Sequence, residues 1–113
     1  MHEMSLCEAI AGVVARHAGE RPVSRVVVRI GHLRQVVPDA LTFSWEVMSA
    51  TMGLPDCTLE IESVPARVDC ARCGTQTTLV DAPILACGSC ESTDVTVVTG
   101  DEFAVVSLEL ADA

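Results

Sequence analysis

The stretch VDCARCGTQTTLVDAPILACGSCESTD, residues 68–94, carries two Cys-x-x-Cys pairs, Cys70/Cys73 and Cys87/Cys90. The residues from Gly74 to Ala86 between them are enough for a hairpin that folds one pair onto the other. Four thiolates then converge on one tetrahedral point, the closed ligand set of a structural Zn(II) site, with Zn–S distances of ~2.3 Å and no position left for a substrate. Gly74 and Gly88 stand where such knuckles turn tightly, and glycine takes positive φ without penalty. Spacing alone leaves iron in the same tetrathiolate as a rival, in the manner of a rubredoxin-like electron carrier.

Outward from the cysteines the pattern becomes that of an ordinary core. Cys57–Val64 alternates Leu59 and Ile61 against Glu60 and Glu62, and Phe103–Leu110 also reads as a strand, so a strand lies on each side of the cysteine region. Ser24–Ile30 reads as a third strand, with Val26, Val28 and Ile30 on one side. Leu6, Ile10, Val13, Val14 and, at the margin, His17 fall on one face of a helix from Met4 to Ala18. Pro38 suits a first helical turn, Asp39 complements the helix dipole, and Leu41, Ser44, Trp45, Met48 and Met52 would form the buried face before Gly53-Leu54-Pro55 stops the helix. The expected fold is α+β: two helices on a three-stranded antiparallel or mixed sheet, with an inserted zinc-ribbon domain holding short strands near Thr77–Val80 and Val95–Val98. The expected boundaries are 1–64 with 101–113 for the first domain and 65–100 for the ribbon.

Composition narrows the function. With 16 acidic against 7 basic residues and a formal charge of −9, the chain would repel a phosphate backbone, so nucleic acid is not an expected partner. The start Met1-His2-Glu3-Met4-Ser5 lacks the basic and apolar regions of a secretory signal, and no window approaches the ~20 apolar residues of a membrane span. A cytoplasmic location is expected, where six cysteines serve as metal ligands or buried thiols rather than disulfides. Cys7 and Cys57, outside the paired spacing, read as buried and inert, and His17 and His32 as solvated. No catalytic constellation is present, so a binding protein is expected and not an enzyme.

His2 adds a second metal-binding possibility. The Met1 amine, the His2 backbone nitrogen and the His2 imidazole can close adjacent chelate rings, and planar nitrogen ligands suit Ni(II) or Cu(II). A fourth position could be filled by the Glu3 backbone nitrogen, by its carboxylate, or by Asp39. Read without context, a histidine at position two is usually an exposed polar residue.

The whole pattern, Met1-His2-Glu3-x-Ser5-Leu6 opening a helix, a Val-rich strand, the Pro38-Asp39-x-Leu41-x-Phe43 helix and the paired cysteines, resembles the HypA family over essentially the whole chain. The resemblance implies a nickel metallochaperone for [NiFe]-hydrogenase maturation that works with a HypB-type GTPase and with the hydrogenase large subunit or its maturation complex. Some members also serve urease. It implies His2 as the principal ligand of transiently bound Ni(II), Met1 and Glu3 in the same motif, Asp39 as an outer ligand, and Cys70, Cys73, Cys87 and Cys90 as zinc ligands. The second knuckle lacks the proline often seen there, and His32 stands where the family commonly has an acidic residue. A zinc-ribbon adaptor in transcription or translation is the alternative function, along with the iron electron carrier.

Overall fold

The computed structural model describes residues 3–80 and 84–111. The chain runs α1 (Glu3–Ala18), β1 (Val23–Gly31), a 3-10 turn at His32–Arg34, α2 (Pro38–Met48), β2 (Thr58–Val64), β3 (Ala66–Cys70), β4 (Gln76–Leu79), β5 (Val95–Thr99) and β6 (Phe103–Leu110). The strands form two three-stranded sheets, ordered β2-β1-β6 and β4-β3-β5. The chain divides into two compact units, one running from α1 to Arg29 and then over Val36–Glu62 and from Ala104 onward, the other comprising Ile30–Gln35 and Ser63–Phe103.

In the first unit, periodicity dictates what is buried. Cys7, Ile10, Val14 and Ala18 recur at helical spacing on α1, and Leu41 and Trp45 do so on α2; with Val26, Val28 and Leu59 from the strands they form the core. His17 is not on that face: it is exposed, and its Nδ1 lies 2.9 Å from the Val13 carbonyl. Ser44, Met48 and Met52 are only half-buried, whereas Ser49 is buried. Trp45 is fixed by burial and by its Nε1–H, which donates to the Cys57 carbonyl at 2.8 Å. On α2, Phe43 and Val47 point outward at 66% and 62% exposure, so the helix is apolar on part of its wet face as well.

The first sheet is mixed. Ala111 N–H donates to Pro22 O and Gly31 N–H to Glu102 O, which pairs β6 antiparallel to β1. On the outer face Arg25 meets Glu60 at 3.1 Å and Arg29 meets Glu62 at 3.0 Å, an advance in the same direction along both strands, so β2 runs parallel to β1. A parallel pair needs a crossover, and α2 supplies it.

The two helices are themselves parallel. Cys7 Sγ lies 4.0 Å from the Leu41 carbonyl near the start of each helix. At the other end, Ala15 and Ala18 of α1 share a groove with Met52–Leu54, just beyond α2. Both first turns, Glu3 on one and Asp39 on the other, are therefore at the same end of the helical layer.

The second unit is built on β3, which pairs antiparallel with β4 and with β5, the latter across an irregularity between Arg67 and Val68. Its buried side chains are few: Ile30, Ala66, Val68, Cys70 and Cys87. Backbone contact replaces side chains where Gly31 and Gly100 meet, because a Cβ on Gly31 would overlap the Gly100 carbonyl and one on Gly100 would overlap Ala66. Gly100 also holds a φ of 109°, which excludes other residues twice over.

Candidate metal centre

The four cysteines of the paired motif come together. Their Sγ atoms all lie within 4.8 Å of one another, with Cys73···Cys87 at 3.5 Å and Cys70···Cys90 at 3.6 Å. A tetrahedron with ~2.3 Å metal–sulfur bonds has sulfur–sulfur edges of about 3.8 Å, so the cluster is already close to the size that a zinc ion requires. Cys70 and Cys87 are buried, while Cys73 and Cys90 face solvent.

Each pair sits in the same hydrogen-bonded turn. Cys70 N–H donates to Thr75 O and Gly74 N–H to Cys70 O; in the second pair Cys87 N–H donates to Ser92 O and Glu91 N–H to Cys87 O, all between 2.8 and 3.0 Å. The amides of Arg72 and Cys73 point at Cys70 Sγ, both at 3.4 Å, and those of Ser89 and Cys90 at Cys87 Sγ, at 3.3 and 3.5 Å. These donors favour anionic sulfur, which is the ligating form.

The glycines do not play equivalent parts. Gly74 has the expected positive φ, 76°, but the matching position in the second turn is Glu91 at 62°, not Gly88. Gly88 is needed for closeness: its N–H donates to Thr77 Oγ1 at 2.9 Å, and a Cβ there would meet Thr77 Cγ2 at 3.1 Å.

Crowding four sulfurs splits their acidities. The Thr75 hydroxyl, the Thr75 backbone and then Cys87 bring the Cys73 thiol down to about 6. The amides of Cys90 and Ser89 lower Cys87 as well. Cys90 receives a lowering bond from the Ser92 backbone, but the Cys70 sulfur, burial and the Cys73 and Cys87 sulfurs outweigh it and push the thiol up to about 11. Some of the thiols ionise readily only if others keep their protons. A divalent cation removes that conflict by neutralising two charges and spacing the four sulfurs.

The other proposed ligands divide between what is and is not placed. Asp39 is exposed in the first turn of α2, and Glu3 is in the first turn of α1. Met1 and His2 lie outside the described residues. Cys7 and Cys57 are buried at 0% and 7% exposure, and burial raises both thiols above the ordinary value; they belong to the core. His32 is exposed in the 3-10 turn.

Sequence reasoning missed Thr75 and Thr77. The signal was their position, just after the first pair and opposite the second. No helix among the described residues is long and apolar enough to cross a membrane.

Comparison with known proteins follows the same outline. A family model described as hydrogenase/urease nickel incorporation, metallochaperone, hypA, matches residues 1–110. A hydrogenase maturation factor HypA from Roseiflexus sp. is 37% identical over 115 residues, covering 99% of this chain and 94% of the relative. One from Nostoc sp. is 31% identical over 112 residues, covering 99% and 97%. A solution structure of the nickel metallochaperone HypA from Helicobacter pylori matches with a TM-score of 0.66 at 24% identity, over 97% of both chains, and so supports the fold.

Proposed function

Because this chain belongs to the HypA family, a family of nickel-incorporation metallochaperones rather than enzymes, we propose that it takes up one Ni(II) at Met1, His2 and Glu3 and passes it to a [NiFe]-hydrogenase. Asp39 serves as an outer ligand. Cys70, Cys73, Cys87 and Cys90 hold a structural zinc ion that orders residues 65–100, while residues 1–64 and 101–113 carry the nickel site. The partners are a HypB-type GTPase and the hydrogenase large subunit or its maturation complex, met in the cytoplasm.

The observation that carries this reading is the family match, which includes the N-terminal motif as well as the cysteines. The shared end of the two helices supports it, because Glu3 and Asp39 occupy first turns on the same side of the layer. The zinc-ribbon adaptor and the iron carrier explain neither the match nor the helices.

The sequence offers an unusually clean test. All 7 basic residues are arginine, so no lysine amine competes with the Met1 α-amine of the proposed site. An N-hydroxysuccinimide ester should label the untagged protein once, and stoichiometric Ni(II) should block that label. Calorimetry should show stoichiometric nickel binding for wild type and none for His2→Ala or for a form extended ahead of Met1, with zinc content equal in all three. Full labelling in the presence of bound nickel would remove the amine from the ligand set.

A further inference from the structure

The two cysteine turns repeat one another in the bonds that close each turn and in the amides aimed at the first sulfur, and they differ in what lies beside the second sulfur. Thr75 and Ser92 are equivalent, each two residues beyond the second cysteine of its pair, and each accepts at its backbone carbonyl the N–H of the first cysteine of that pair. Their side chains differ in use. Thr75 Oγ1 lies 3.3 Å from Cys73 Sγ, whereas Ser92 Oγ is turned away and accepts the Asp94 N–H at 3.0 Å.

Cys70 and Cys87 each have two amide donors, and Cys73 has the Thr75 hydroxyl at 3.3 Å. Cys90 has no hydroxyl beside its sulfur; its side-chain partner is Cys70 Sγ at 3.6 Å, and it is exposed. With neutral Cys73 the thiol donates to Thr75 Oγ1; with Cys73 as a metal-bound thiolate the hydroxyl becomes the donor, since the sulfur then has no proton to give. A donor to a ligating atom orients it and holds it at the metal.

We infer that Thr75 is a positioning residue for the metal centre, anchoring Cys73 through its hydroxyl and leaving Cys90 as the ligand that departs first when the metal exchanges. The inference rests on the four cysteines being zinc ligands. In the step itself the metal–Cys90 bond breaks with its electron pair remaining on sulfur, and an incoming chelator donor forms the replacing bond. The freed thiolate can add to the double bond of a maleimide, which then takes a proton from water.

The test uses full-length zinc-loaded protein, the chelator 4-(2-pyridylazo)resorcinol to follow zinc release, and N-ethylmaleimide with peptide mass mapping to find the first cysteine modified. In wild type the first adduct should fall on Cys90, although Cys73 is also exposed. Thr75→Val should release zinc about tenfold faster, the lower end of the usual range for a partner of a metal ligand, and should divide the first adduct between Cys73 and Cys90. Thr75→Ser, which keeps the hydroxyl, should restore both behaviours. Cobalt substitution gives a second readout: the sulfur-to-cobalt charge-transfer band should shift in Thr75→Val and not in Thr75→Ser. Unchanged release, adduct order and cobalt spectrum in Thr75→Val would overturn the inference, as would first labelling of Cys73 in wild type. Purified wild type with no zinc would instead sink the underlying assignment of the site.

Discussion

At the residue scale, chemistry follows from what each side chain touches. Cys7 illustrates the sign of a buried thiol. Burial, then Glu3 and Glu8, raise its pKa above the ordinary 9.0, so the folded state prefers the protonated form more than the unfolded chain does. Its contribution to stability is complete below the unfolded value and is lost as pH climbs through the raised folded one. Urea midpoints of zinc-loaded protein should therefore fall above pH 9, and Cys7→Ala, though less stable at pH 7, should show a shallower fall; an identical slope would assign the alkaline loss elsewhere. Glu91 makes a complementary case. It pays for a left-handed backbone that Gly74 adopts freely in the matching turn, and Glu91→Gly should raise the thermal midpoint by a stability gain of about 0.5–1 kcal/mol. The grouping of the four cysteines was legible in the sequence because two Cys-x-x-Cys pairs can fold onto one point. It misled about Gly88, whose smallness serves Thr77 and not a positive φ, since composition does not distinguish a turn from a close approach.

At the scale of elements, alternation and helical periodicity made both helices and the strands β1, β2 and β6 legible, with ends displaced by a residue or so except at α2, which stops at Met48 and not at the Gly53-Leu54-Pro55 signal. The central strand of the second sheet was not legible. Ala66, Val68 and Cys70 alternate inward as clearly as any strand, but only Pro65 divides them from β2, and β3 becomes a separate strand through pairing with β4 and β5 far along the chain. The parallel pairing of β1 and β2 likewise depends on tertiary contacts. Trp45 is the element-level anchor of α2. Trp45→Ala should cost about 3–5 kcal/mol through the cavity alone. Trp45→Phe should cost less, losing packing volume and leaving the Cys57 carbonyl without its donor. Phe43→Ser, on the wet face of the same helix, should change stability by less than about 0.5 kcal/mol. Denaturant titrations followed by circular dichroism would rank the three, and a Phe43 effect as large as that of Trp45 would mean the outer face is packed in solution.

For the whole molecule, the two units draw on different sources of stability. The first has a core of aliphatic side chains around Trp45, whereas the second buries little beyond Ile30, Ala66, Val68 and two of the four clustered cysteines. Removing zinc with a chelator should abolish amide protection in β3, β4 and β5 while leaving the helical circular dichroism signal of α1 and α2 in place. Under those conditions iodoacetamide should modify Cys70, Cys73, Cys87 and Cys90 and spare Cys7 and Cys57 until denaturant is added. Loss of both units together on chelation would show that the metal supports the entire chain.

The parallel course of α1 and α2 has an electrostatic consequence for the proposed cargo. Helix N-termini carry partial positive charge, and here two of them share one end. A nickel ion held by Glu3 and Asp39, as proposed, would meet an adverse field, which the carboxylates of these two first-turn residues would offset. The ion would be gripped by its chelating nitrogens and pressed outward by the backbone beneath. Such a balance would suit a carrier that must surrender what it holds, and it would make the acidity of those two turns part of the proposed release: neutralising them as Glu3→Gln and Asp39→Asn should quicken nickel loss to a competing chelator.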